Sequence, residues 1–442
     1  MYSKTLQNLF KAKKIQIGDK IKVEKEGFEY IGILMPKPET QDPNSIVLKL
    51  ENGYNVGIGF EKEVKIELLE KRKKKEFEKL KIKSDPKKLT VSVLGCGGTI
   101  ASKIEYETGA VYPAFTPEDL IQNFPKLKEL ANVKGRMLFN LFSEDMSPEH
   151  WKIIAKETAK EIKNSDGIVL THGTDTLHYT SAALSFMLQN LPKPVVLVGS
   201  QRSSDRPSSD AEMNLICSVL TALSDIAEIV VCMHGEMSDT FNYVHSGVKV
   251  RKMHTSRRDT FKSINVLPYA KVWYEKREIE YLRNDFKKRG KRDLILDTKI
   301  NPNVCLIWIH PGIKPEFVKS LGKFYDGIVL AGTGLGHVQT NKKDKFCTPI
   351  ISEIENLINS GIPVAMSPQT IFGRINMNAY ETGRKLVKIG VMGNYCDWTP
   401  ETALVKLMWV LGHTKNMKKI KEMMEKNYVG EISERSIPEG FI

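Results

Sequence analysis

The hydrophobic pattern changes character along the chain. In the stretches GDKIKVEKEGFEYIGILMPKP and SIVLKLENGYNVGIGFE, β-branched and aromatic residues alternate with polar ones. Lys22, Val23 and Glu24 follow a period of two, as do residues 46–50, and Glu51-Asn52-Gly53 is a hairpin turn signal. Four or five such strands in succession predict a small closed or nearly closed β-barrel over residues 1–70. From residue 89 onward the apolar runs become continuous: 91–94, 168–170, 195–198, 229–233, 304–309, 328–331 and 363–366. Most are followed by a glycine-rich turn and then by a segment with helical spacing, as in Ala182, Phe186, Leu188 and Leu191. Strands that are apolar on both faces belong in a parallel sheet covered by helices on both sides. The expectation is an α/β core of two domains, 89–285 and 300–442, preceded by the barrel. The charged stretch YEKREIEYLRNDFKKRGKR (274–292) reads as a solvated connector between the two halves.

Charge sharpens one boundary. Residues 1–70 carry 11 Lys and Arg against 11 Asp and Glu, whereas residues 71–88, KRKKKEFEKLKIKSDPKK, carry 10 against 3. This short block supplies seven of the thirteen net positive charges. Its helix formers, few apolar residues and Pro86 predict a helical linker. Two readings of it stand: a solvated connector, or an electrostatic contact with RNA phosphates. No apolar run approaches the ~18 residues of a membrane span, and the first residues lack the apolar stretch of a signal peptide. Six scattered cysteines without a Cys-x-x-Cys fit reduced thiols in a cytoplasmic protein.

Ligands of open α/β sheets bind beyond the carboxyl ends of the strands, and two such ends here are rich in hydroxyls. Gly95-Cys96-Gly97-Gly98-Thr99-Ile100-Ala101 brings backbone close to a ligand; read alone, it is also an ordinary glycine turn with a threonine helix cap. Thr171-His172-Gly173-Thr174-Asp175-Thr176 presents a hydroxyl beside a carboxylate, although Asp175 or Thr176 could equally cap a helix beginning near Leu177. No His-Glu-x-x-His or Cys/His cluster suggests a metal, and no G-x-x-x-x-G-K-[ST] loop suggests ATP binding.

These two segments resemble the signature motifs of the bacterial-type L-asparaginase family. The resemblance runs in order through Ser143-Glu144-Asp145-Met146, Val198-Gly199-Ser200-Gln201-Arg202, Phe261-Lys262-Ser263 and Gly332-Thr333-Gly334, over about 350 residues. With the barrel and basic linker added, the whole resembles the D-subunit family of archaeal-type Glu-tRNA(Gln) amidotransferases. The resemblance implies a Thr99 nucleophile contacted by Tyr112, and a second catalytic group of Thr174, Asp175 and Lys252. Desolvation of Lys252 would depress its pKa and let it accept a threonine proton. Read alone, Lys252 sits in a basic surface stretch beside Lys249 and Arg251. Asp175 with Ser143 and Glu144 would bind the amino and carboxylate groups of the substrate; Glu144 departs from the Gln of many asparaginases. The resemblance further implies hydrolysis of glutamine, with the ammonia led along an enclosed path to a GatE-type partner subunit. ATP and Mg²⁺ are expected in that partner, which acts on Glu-tRNA(Gln), and no cofactor in this chain. A homodimer of this chain within a heterotetramer is the expected assembly. A stand-alone asparaginase or glutaminase, or a noncatalytic RNA-binding scaffold, are the alternatives.

Overall fold

The computed structural model describes residues 1–37, 42–51, 54–61, 63–72, 84–98, 100, 102–104, 111–113, 124–202 and 208–441, with the backbone alone for 102–104 and 111–113. The period-two segments near the start form five antiparallel strands, Lys20–Lys25, Phe28–Leu34, Ser45–Leu50, Asn55–Gly59 and Lys65–Glu70. The sheet runs in the order fourth, third, second, first, fifth. Its inward residues Ile21, Val23, Leu34, Ile46, Leu48, Ile58 and Ile66 make a core of their own. A helix that the strand pattern did not predict, Lys4–Ala12, packs Leu6 and Phe10 against that core. Its signals were the Ser3 cap, whose Oγ accepts from Leu6 N, and the four-residue spacing of Leu6 and Phe10.

The ends of the basic linker are anchored. Asp19, fully buried, accepts from Lys71 Nζ and Arg72 N, each at 2.9 Å. At the other end Asn132 receives Asp85 N (2.8 Å) and donates to the carbonyls of Asp85 and Lys88. Residues 73–83, on which the expectation of a linker helix falls, lie outside the described residues.

All seven continuous apolar runs form strands. The first four, Thr90–Gly95, Gly167–Thr171, Val195–Val198 and Ile229–His234, are joined by Asn132–Met137 in one parallel array. The last three, Val304–Trp308, Gly327–Gly332 and Val364–Pro368, form a separate parallel sheet. One feature departs from the expected all-parallel sheet. The first array continues with antiparallel strands Phe241–Ser246, Ala270–Trp273 and Glu278–Tyr281, giving eight strands in all. The expected connector at 274–292 is therefore partly the edge strand of this sheet. Its charges serve as protection, since a polar edge discourages pairing with another chain. Further on, Arg289 hydrogen-bonds the carbonyls of Asp166, Ala222 and Ser224 and is part of the packed structure. Among the described residues, no helix is long and apolar enough to cross a membrane.

Buried charge joins the two halves. Helix Pro400–Leu411 of the second half packs on helix Leu177–Met187 of the first, and Glu401 in its opening turn accepts from Arg251 Nε at 2.7 Å. Burial works against the Glu401 charge, yet the His178 imidazole and the Arg251 guanidinium outweigh it and bring the carboxyl down to about 2. An unfolded glutamate titrates near ~4.3. Glu401 therefore contributes about 3 kcal/mol of stability that is fully present above that value and is lost as pH falls towards 2. Denaturant melts of Glu401→Gln are expected to lose less stability between pH 5 and ~2 than wild type does. Parallel pH curves for the two proteins would refute this contribution.

Candidate active site

Two adjacent parallel strands end side by side, with Leu94 paired to Leu170 and Gly95 to Thr171. Beyond them the chain takes a left-handed path at Gly97 (φ 101°) and Gly98 (φ 82°), where a side chain would be strained. Space forbids it as well. A Cβ on Gly98 would stand 2.6 Å from Gly173 N, and one on Gly97 would overlap the Leu141 carbonyl. Gly98 N instead donates to that carbonyl at 3.2 Å. Gly173 is crowded in turn by Ser143, whose Cβ would lie 2.8 Å from an added Cβ. Three segments, 97–98, 141–143 and 172–176, thus meet backbone to backbone.

The second strand end is braced from below. Trp151 Nε1 donates to Thr180 Oγ1 (3.0 Å), and the Thr180 hydroxyl donates to His172 Nε2 (2.9 Å). This leaves His172 Nδ1–H to donate to Gly173 O at 2.7 Å. Burial, opposed by that carbonyl, lowers His172 to about 4 and keeps the imidazole neutral near pH 7. Thr176 takes the cap position of helix Leu177–Met187, but its hydroxyl is given to Ser143 O (2.6 Å). Ser143 Oγ returns the contact by accepting from Asp175 N at 3.2 Å.

Lys252 reaches this corner from strand Val250–Lys252. Its ammonium donates to Thr174 Oγ1 at 2.9 Å and to Asp175 Oδ1 at 2.7 Å. The Lys252 side chain is 10% exposed and that of Asp175 is 65% exposed. Thr174 and Lys252 therefore form an enclosed floor, with Asp175 rising from it towards solvent. A hydroxyl held by an amine can exchange a proton with it, and the open carboxylate can receive a substrate ammonium.

Of the seven residues singled out in the sequence, Ser143, Thr174, Asp175 and Lys252 are brought together here. Glu144 follows Ser143 with an exposed side chain. Thr99 lies outside the described residues, between Gly98 and the buried Ile100. Tyr112 lies on a short strand, Val111–Pro113, paired with Ser102–Ile104. Its side chain is outside the described residues. The basic surface stretch expected around Lys252 is not one, because Lys249 is 1% exposed and paired to Asp397 at 2.7 Å. Composition hid this: the partner acid stands 148 residues away.

Comparison with known proteins follows the same division of the chain. Residues 90–287 match the family described as Asparaginase, N-terminal, and residues 303–424 match the Glutaminase/Asparaginase C-terminal domain. Among solved structures, the thermostable L-asparaginase from Thermococcus kodakarensis superposes with a TM-score of 0.71 at 33% identity. It covers 78% of this chain and 100% of its own. L-asparaginase I from Vibrio cholerae gives 0.67 at 26%, covering 78% and 99%. The core is thus asparaginase-like.

The remaining part is matched as well, residues 15–69 by the GatD N-terminal domain. Over 97–99% of both chains, the sequence is 50% identical to the D subunit of Glutamyl-tRNA(Gln) amidotransferase from Pyrococcus furiosus and 53% identical to that from Pyrococcus abyssi. It is 47% identical to the one from Methanothermobacter thermautotrophicus over 98% of both. The chain belongs to the D-subunit family of Glutamyl-tRNA(Gln) amidotransferases.

The approach of Gly98 to Gly173 is testable against Gly312, which has a similar φ of 86° but nothing within 4 Å of an added Cβ. Gly312→Ala is expected to lose only the backbone cost, about 1–2 kcal/mol. Gly98→Ala should lose clearly more in the same denaturant melts. Equal losses would mean that the two strand ends need not touch.

Proposed function

We propose that this chain is the glutaminase subunit of a Glu-tRNA(Gln) amidotransferase, in which Thr99 is the nucleophile. The observation that carries the reading is the Lys252–Thr174–Asp175 cluster packed against the Gly97-Gly98 turn. A free hydroxyl is a weak nucleophile and needs a group to take its proton. Thr99 Oγ attacks the side-chain amide carbon of glutamine, and its proton passes by way of the Thr174 hydroxyl to the Lys252 nitrogen, which accepts it as the neutral amine. Collapse of the tetrahedral intermediate breaks the C–N bond; the nitrogen takes up a proton and leaves as ammonia. Water then hydrolyses the threonyl ester, releasing glutamate and restoring the hydroxyl. Asp175 and Glu144 receive the substrate ammonium, Ser143 helps to hold its carboxylate, and Tyr112 contacts the Thr99 hydroxyl.

The ammonia is consumed by a GatE-type partner subunit that uses ATP and Mg²⁺ to activate the glutamyl group of Glu-tRNA(Gln). This division of labour is supported by the missing ATP loop here and by the additional N-terminal domain, which plain asparaginases lack. The assembly is a homodimer of this chain joined by two partner subunits, in the cytoplasm.

Full-length protein with its partner is expected to release glutamate from glutamine, with a response to Glu-tRNA(Gln). Thr99→Ala and Lys252→Met should each lower kcat by at least about a thousandfold. Robust asparagine hydrolysis, indifferent to partner and tRNA, would instead identify a stand-alone asparaginase. Wild-type hydrolysis by Thr99→Ala would remove the nucleophile. If the linker touches RNA, replacing Lys73, Lys74, Lys75, Lys79, Lys81 and Lys83 with Gln should weaken tRNA binding. The slope of log affinity against log salt should then flatten by about 0.7–0.9 for each phosphate no longer neutralised. An unchanged slope would leave the linker a solvated connector.

A further inference from the structure

Successive side chains of a strand leave opposite faces, and the strand Val250–Lys252 uses this to face two ways. Lys252 enters the catalytic corner. Arg251 points to the second half, where its Nε meets Glu401 Oε1 at 2.7 Å and its guanidinium lies 5.9 Å from the Trp308 ring centroid. Lys249, two residues earlier, pairs with Asp397 Oδ1 at 2.7 Å and also donates to Asp397 O at 3.0 Å. The Thr402 hydroxyl adds a bond to Val248 O at 2.9 Å. Residues 248, 249 and 251 are thus all held by one short segment of the other half, 397–402.

That segment grips the second catalytic strand end too. Glu401 Oε1 lies 3.7 Å from Nε2 of His178, which is three residues beyond Asp175. One carboxylate therefore touches both pieces of chain whose side chains meet in the Lys252–Asp175 pair. Asp397 is fixed in its turn, since its Oδ1 also accepts from Ser433 N at 2.8 Å.

The fully buried Lys249–Asp397 pair, and the Arg251–Glu401 pair with its buried acid, add little stability compared with apolar groups of the same shape, because desolvation offsets their attraction. What they do provide is a single geometry. Sliding or twisting the strand would leave a charge unpaired where water cannot reach it. The contacts of Lys252 itself, one hydrogen bond to Thr174 and an ion pair to the largely exposed Asp175, hold its tip and not its strand. We propose that Asp397 and Glu401, acting through Lys249 and Arg251, are positioning residues that set the location of the Lys252 ammonium. The second half of the core thereby takes part in catalysis carried out by the first. This inference rests on the catalytic reading of Lys252.

The test uses the full-length chain with its partner subunit and measures glutamine hydrolysis. Glu401→Gln and Asp397→Asn are each expected to lower kcat tenfold or more while KM for glutamine changes less than twofold. A rise in KM equal to the fall in kcat would signal general loosening of the site and overturn the proposal. So would wild-type kcat in both variants. Should a single variant fail to fold, the charge-free double variant Arg251→Met/Glu401→Leu decides. It is expected to melt like wild type yet keep the loss of kcat; recovery of wild-type kcat would assign the positioning to packing alone. Lys252→Met separates the two layers. If it retains full activity, the catalytic reading falls and the proposal with it. If it is inactive while Glu401→Gln and Asp397→Asn are unimpaired, only the positioning role fails.

Discussion

Where Gly98 lies over Gly173, two stretches of backbone approach more closely than any pair of side chains would permit. The closeness is a consequence of the parallel sheet: neighbouring strands Thr90–Gly95 and Gly167–Thr171 run in register and end together. Their following turns must share one small volume at the sheet's carboxyl edge. Glycine at both positions lets them do so, and Ser143 fills the third side with one hydroxyl and one carbonyl. Hydroxyl, carboxylate and ammonium groups from distant parts of the sequence can then stand within hydrogen-bond reach of one another. The neutral His172 below the turn keeps this arrangement polar without adding a charge to it.

Much of this was legible in the sequence, for definite physical reasons. Continuous apolar runs such as Val195–Val198, followed by glycine-rich turns, fit strands of a covered parallel sheet, and all seven of those runs are strands. Each hydroxyl-rich turn alone reads as an ordinary glycine turn with a helix cap, and the two stood out because both lie at strand ends of one sheet. Other features left weaker signals. Phe241–Ser246 mixes aromatic, amide and imidazole side chains, so its place in the antiparallel half of the sheet did not show as an apolar run. Lys249 and Arg251 looked like surface charge because a buried ion pair cannot be seen until both partners are placed. The helix Lys4–Ala12 turns Leu6, Leu9 and Phe10 to the core, a helical spacing that so short a segment shows only briefly before the strands begin.

The additions before the core follow another logic. The N-terminal sheet is closed off by its own helix and core, and its charges balance. The excess positive charge lies between two anchored points, Asp19 on one side and Asn132 on the other. An asparaginase-like fold needs neither feature to cleave an amide. Their presence agrees with membership of a family whose relatives are named for a tRNA substrate.

The buried pair between Lys249 and Asp397 also orders events during synthesis and folding. Strand Val250–Lys252 leaves the ribosome long before its partners, 148 residues downstream, have been made. Contacts that close so long a loop form late, after local structure has condensed. The eight-stranded sheet can therefore assemble first, with its lysine strand lacking the acids that complete it. Asp397 is itself tied to Ser433, a further 36 residues on. On the proposed reading of Lys252, a chain that stops short of residue 397 would carry that lysine without the acids that hold its strand.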